Sequence, residues 1–213
     1  MDLKKNKMEY EILKPFGPSI VKLKIPQETI DQMNLFVDEM KNDEDKLEKF
    51  NEGPKLAGNV YQEFLLSTDF MKKIKWAEFL VPACNQWIWE EKRLQLKSFQ
   101  IIKSWIVRQF KNEYNPIHFH SGHISGVGYL KVPKTMGQTT QKEKKINDNG
   151  KLILIDGSKK LFCSPTYAIT PIIGDMYLFP SYLMHTVYPF SDTDEERRSV
   201  SFNAKIDDQA SSI

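Results

Sequence analysis

Beyond residue 95 the chain reads as a series of short strands, whereas before it the apolar residues mostly follow a helical period. This change of period limits the folds open to it more than any other feature. The strand candidates are 96–110 (LKSFQIIKSWIVRQF), 124–132 (ISGVGYLKV), 151–155, 167–173, 176–180 and 199–204, with a tight turn at Gly174-Asp175. In the first half, 19–25 (SIVKLKI) alternates as a strand would, and after Pro26 the residues Ile30, Met33, Phe36, Val37 and Met40 recur at helical spacing. Thr68 or Asp69 can cap a helix running to about Val81, with Phe70, Ile74, Ala77 and Leu80 turned inward and Pro82 limiting or kinking it. Two polar stretches, 42–59 and the Lys-rich 134–150, read as loops, the second as a mobile insertion between strands. Short strands after a helical half predict a mainly β chain: an antiparallel barrel or sandwich with helices packed outside.

The chain has 213 residues, 40% of them hydrophobic, which predicts a single domain over 1–213 with a substantial core. Within it, 1–95 is expected to be mainly helical support and 96–206 the β core. The net charge of +2 is close to balance and gives no push toward nucleic acid. No window is apolar enough to span a membrane, and the first residues carry no signal-peptide pattern. The two cysteines, Cys84 and Cys163, cannot make a disulfide framework and are expected to be small buried hydrophobes in a reducing, cytoplasmic compartment.

The chemistry is concentrated in the histidines. There are four, and three of them, His118, His120 and His123, fall in YNPIHFHSGHISG; the fourth, His185, lies in GDMYLFPSYLMHTVYPF. Residues two apart on an extended strand point the same way, so one metal ion can reach both His118 and His120. His185, at the far end of the 176–180 strand candidate, is placed to close a triad. Neutral imidazole suits iron, zinc, copper and nickel alike, so the pattern argues for a transition metal more than for which one. Ordinary core or surface histidines are the bland alternative, and the gathering of the whole His content into two motifs weighs against it. The Ser121-Gly122 turn is expected to carry His123 away from the metal.

A candidate anion site follows in EERRSVSFN. Arg197, Ser199, Ser201 and Asn203 share one strand face, while Val200 and Phe202 occupy the other. A polar face turned into a barrel needs a polar occupant, and Arg197 backed by Ser199 suits a carboxylate. Arg198, out of phase, is expected to face outward. Tyr129, on a strand face with Ser125 and Val127, would offer its phenol to the same carboxylate, although a strand Tyr is more often plain core. Trp105 and Arg108 are placed to line the pocket, with a core role for the Trp at least as good a reading.

The stretches NPIHFHSGHISGVGYLKVP and GDMYLFPSYLMHTVYPFSDTDEERRSVSFN resemble the Fe(II)/2-oxoglutarate oxygenase superfamily, in particular the 2OG-Fe(II) oxygenase group of bacteria and tailed phages. More distantly they are similar to prolyl 4-hydroxylases. The resemblance covers roughly 105–132 and 173–203, about a quarter of the chain. It implies a double-stranded β-helix (jelly-roll) fold. It further implies His118, His120 and His185 as ligands of Fe(II), and Arg197, Ser199 and Tyr129 as contacts to the far carboxylate of the cosubstrate 2-oxoglutarate. His120 stands where the family carries Asp.

The function this implies is an Fe(II)- and 2-oxoglutarate-dependent dioxygenase that uses O2 to hydroxylate a substrate. A prolyl or other peptidyl residue, in a protein or peptide, is the leading candidate, and a bacterial or phage-infected host cytoplasm is the expected setting. Two rivals accompany it: a three-His cupin-type dioxygenase that needs no oxoacid, and a non-catalytic jelly-roll binding or virion module.

Overall fold

The computed structural model describes residues 9–13, 17–43, 47, 50, 51, 58–60, 62–139, 143 and 145–211. Most of the 42–59 loop, part of the 134–150 insertion and the first eight residues therefore lie outside the described residues.

Two antiparallel sheets form the body. The larger has seven strands in the order β1 (Tyr10–Leu13), β2 (Ile20–Lys24), β9 (Asp175–Pro180), β6 (Ile124–Lys131), β11 (Arg197–Ile206), β4 (Phe99–Gln109) and β3 (Gln62–Leu65). The smaller has four, in the order β5 (Asn115–His118), β10 (Met184–Val187), β7 (Leu152–Ile155) and β8 (Thr166–Ile169). From β4 to β11 the chain passes repeatedly from one sheet to the other, which is the winding of a double-stranded β-helix. The first 95 residues hold helices and also give the larger sheet three strands, β1, β2 and β3.

Alternation along the large-sheet strands separates two cores. Met176, Leu178, Ile106, Val200 and Phe202 face one way, where α1 (Gln27–Lys41) and α3 (Trp76–Lys92) supply Ile30, Met33, Val37, Trp76, Leu80 and Trp87 to the same apolar cluster. Tyr177, Phe179, Val127 and Tyr129 face the other way and meet Leu152, Leu154 and Val187 of the small sheet. Gly126 is required by the first packing: a Cβ there would lie 2.4 Å from Phe202 Cε1.

The helix expected over 68–81 is two helices. α2 (Thr68–Lys73) is capped by Ser67, whose hydroxyl accepts from Phe70 N. The chain then breaks at Lys75, in the left-handed region with φ 53°, and restarts as α3. The break resets the helical phase, so Trp76 is buried where Ala77 was expected to be. Pro82 does not end α3. It sits on the exposed face, where water can satisfy the carbonyl that its missing N–H leaves free. Gly174 takes φ +84° in the turn leading into β9. Cys84 is fully buried as expected, but Cys163 is only half-buried, in a turn.

Candidate active site

The space between the two sheets holds the polar residues that the sequence singles out. His118 ends β5 and His185 lies within β10, directly opposite it in the antiparallel register. His185 thus belongs to a strand of its own, four residues beyond the end of β9. His120 follows β5 and is held by its backbone N–H, which donates to Ser181 O at 2.9 Å. The ligand atoms of His118, His120 and His185 lie within 4.8 Å of one another.

Two of these rings are oriented by the backbone. His118 Nδ1 lies 2.7 Å from Pro116 O and His185 Nδ1 lies 2.9 Å from Leu183 O. A carbonyl only accepts, so each Nδ1 carries a proton and Nε2 is the nitrogen left to face a metal. Burial, and then repulsion from His118, pull His185 down to about 3 and His120 down to about 4. Both imidazoles are therefore neutral at ordinary pH, which is the form that binds metal. His123 lies elsewhere: its Nδ1 faces Ile206 N and O, both at 3.1 Å, at the end of β11.

A narrow cavity runs inward from the triad. Its lining includes His118, His120, His185, Ser201, Ser199 and Arg197. Arg197 is 2% exposed and donates through Nη1 to Gln109 Oε1 at 3.0 Å. Its Nε and Nη2 have no hydrogen-bond partner, and neither does the buried hydroxyl of Tyr129. The guanidinium lies over the Tyr129 ring, 5.1 Å from its centroid, in a cation–π contact. Burial works against the charge of Arg197 and raises the Tyr129 phenol above its ordinary value. Unsatisfied buried donors of this kind are costly, and an anionic acceptor would remove the cost.

Arg198 departs from expectation. It does face away from the cavity, but it is 1% exposed instead of reaching solvent. It donates to Glu196 at 2.6 Å, to Asn34 at 3.0 Å and to Asp38 at 2.9 Å, tying β11 to α1. Burial opposes ionisation of Glu196, yet hydrogen bonds from Arg198 and Arg108 outweigh it and hold the carboxyl below its ordinary value. Arg108 belongs to this cluster and to Gln62, not to the pocket. Trp105 does line the pocket, with its ring edge-on to His120 at 5.6 Å.

A second, wider cavity of about 270 Å³ opens outward from His118 and His120. Trp105, Asn115 and the two His line both spaces. The outer one adds Glu63, Lys103 and Asn203, and Asn203 Oδ1 accepts from Ser125 Oγ at 2.7 Å. Sequence reading missed Glu63 and Gln109. Glu63 comes from β3, a strand it did not find, and Gln109 acts only through the side chain beside it.

Residues 103–203 match the model of the family described as "Putative 2OG-Fe(II) oxygenase". No curated protein sequence matches the chain. Among solved structures, a Pseudomonas putida prolyl-4-hydroxylase is 14% identical, with 94% of this chain and 92% of that one covered and a TM-score of 0.53. HygX from Streptomyces hygroscopicus, solved with nickel and 2-oxoglutarate bound, is 10% identical over 87% and 81%, with a TM-score of 0.53. The viral collagen prolyl hydroxylase of Paramecium Bursaria Chlorella virus-1, a 2OG complex, is 12% identical over 92% and 94%, with a TM-score of 0.50. At these identities the likeness is one of fold, the jelly-roll.

Proposed function

We propose that the chain, as one oxygenase unit over 1–213, is an Fe(II)- and 2-oxoglutarate-dependent dioxygenase. His118, His120 and His185 would hold the metal, and Arg197, with Ser199 and Tyr129, the distal carboxylate of 2-oxoglutarate. One observation carries this reading: a single cavity is lined at one end by three imidazoles and at the other by a buried guanidinium with unsatisfied N–H groups. Iron(II) with 2-oxoglutarate and dioxygen supplies the oxidising power to hydroxylate a C–H bond, with succinate and carbon dioxide as co-products.

The chain's own residues set the conditions for that chemistry. Pro116 O and Leu183 O fix the tautomers of His118 and His185, so the ligands need not reorganise. Gln109 holds one edge of the Arg197 guanidinium and leaves Nε and Nη2 for a bidentate pair with a carboxylate. The apolar walls Val107, Val127, Leu152, Phe179 and Val187 exclude water around that pair and strengthen it. Three imidazole ligands would give the metal no negative protein group, so the diacid alone would offset its charge.

Substrate would enter through the outer cavity. A prolyl or other peptidyl residue is the reading favoured by the resemblance to prolyl hydroxylases. Among the described residues no helix is long and apolar enough to cross a membrane, and cytoplasmic action is the setting we assign. The 2-oxoglutarate-independent three-His reading is disfavoured by the same unsatisfied guanidinium, which such an enzyme would have no use for.

The test is to purify the protein without oxygen, load it with iron and measure succinate on admitting oxygen. The expected result is succinate formation that requires both iron and 2-oxoglutarate and is lost in His118→Ala and His185→Ala along with the bound metal. Oxygen uptake unaffected by omission of 2-oxoglutarate would overturn the cosubstrate assignment. Retention of stoichiometric metal by His118→Ala would overturn the ligand set.

A further inference from the structure

The outer cavity contains two opposite charges from neighbouring strands. Glu63, on β3, pairs in register with Val107 of β4, and on β4 the residues 103, 105 and 107 share one face. Glu63 and Lys103 therefore both come to the cavity side, flanking Trp105 beside His118 and His120. Yet they do not serve each other. Glu63 is 4% exposed and its Oε2 has no hydrogen-bond partner. The Lys103 ammonium is taken up by the Trp105 ring instead, 5.3 Å from the centroid. Burial pushes the Glu63 carboxyl up to about 7, with the charge of Lys103 pulling the other way. A buried, unsatisfied acceptor and a cation sharing one small chamber call for an occupant that carries a donor and an acceptor close together. Glu63 lies outside the cluster formed by the ligand atoms of the three His.

We propose that Glu63 and Lys103 recognise an α-aminoacyl unit in the substrate, its nitrogen donating to Glu63 and its carboxylate or carbonyl oxygen accepting from Lys103. Both groups would then be satisfied, and the unit's side chain would be directed toward His118 and His120. The cavity volume of about 270 Å³ suits one such unit. It lies below the roughly 300–1,000 Å³ of sites for larger ligands. A free amino acid and a residue within a peptide present the same chemistry, the first with full charges and the second with amide dipoles. The inference rests on the oxygenase reading only in taking the outer cavity as the substrate chamber.

The experiment titrates the full chain, both metal-free and loaded with cobalt(II) and 2-oxoglutarate, with two sets of probes. One set is the free L-amino acids and the other their N-acetyl, N′-methylamide forms, with binding followed by saturation-transfer NMR. Saturable binding from at least one set is expected, weakened about ten- to a hundredfold by Glu63→Gln and comparably by Lys103→Met. Cobalt and 2-oxoglutarate affinities should be unchanged in both variants, whose melting curves check the fold. Preference for the free forms identifies a free amino acid as the source, and preference for the capped forms a peptide; either supports the pair. Binding of neither set, or binding indifferent to both substitutions, overturns it. So does equal binding of a simple amine or carboxylate lacking the second group. A wild-type chain that takes no cobalt would sink the oxygenase reading, while the metal-free titrations still decide the recognition pair.

Discussion

Arg197 and Arg198 are adjacent and chemically identical, and strand parity sends them to opposite sides of β11. Arg197 enters the inner cavity with two unsatisfied groups, whereas Arg198 is saturated by Glu196, Asn34 and Asp38. Arg197→Ala should therefore weaken 2-oxoglutarate about ten- to a hundredfold, the loss of about 1.5–3 kcal/mol from one charge-assisted contact, while metal stays bound. Titration of each variant with 2-oxoglutarate checks this. Arg198→Ala should leave that affinity alone and instead destabilise the fold by about 1–3 kcal/mol, because it removes the bonds to Asn34 and Asp38 and one of the two cations on the buried Glu196, with Arg108 still paired to it; denaturant melts read that loss. Glu63 is a second residue with a distinct signature. Its folded-state carboxyl is raised to about 7 from an ordinary 4.5, so between those values the folded chain binds more protons than the unfolded one. Its contribution to stability is full below the lower value and is lost as pH rises through the upper. In melts of the metal-free protein, Glu63→Gln should come nearest to wild type at about pH 4 and exceed it at about pH 8.

At the scale of elements, the site depends on pairings between segments far apart in the chain. β5 and β10 are short, and their antiparallel register sets His118 against His185. β4 and β11 together carry the polar wall from Arg197 to Asn203 and Lys103. Their opposite faces are fastened by α1 and α3, with Trp76 of α3 packed edge-on to Phe202 of β11 at 6.3 Å. Trp76→Ala removes a fully buried ring from the face opposite the site. It should cost about 3–5 kcal/mol by denaturant melt, with the metal affinity of the remaining folded protein little changed.

For the whole molecule, a metal held by the three His would tie β5 and residues 119–120 to β10, which belong to separate parts of the chain. A ligand held only by the folded state adds about 2.7 kcal/mol at a hundredfold excess over its dissociation constant. Iron(II) or zinc(II) should therefore raise the melting temperature, and a chelator should lower it again. No shift with either ion would mean that the triad does not close on a metal.

The sequence alone pointed to the residues that the fold brings together in the candidate site, because the chemistry is concentrated in rare residues at strand-compatible spacing. Two-residue periodicity placed Arg197 and Ser199 on one face, and clustering marked His118, His120 and His185. The jelly-roll was legible from short strands after helices together with the motif resemblance. Other features needed the tertiary structure, since local pattern says nothing of what covers a face. Arg198 looked solvent-facing because strand parity cannot report that α1 lies over that side. The break at Lys75 went unseen because a left-handed residue other than glycine leaves no compositional mark. Glu63 was invisible as a site residue because an isolated acid in QEFL reads as surface, and only its pairing with β4 brings it into the chamber beside the histidines.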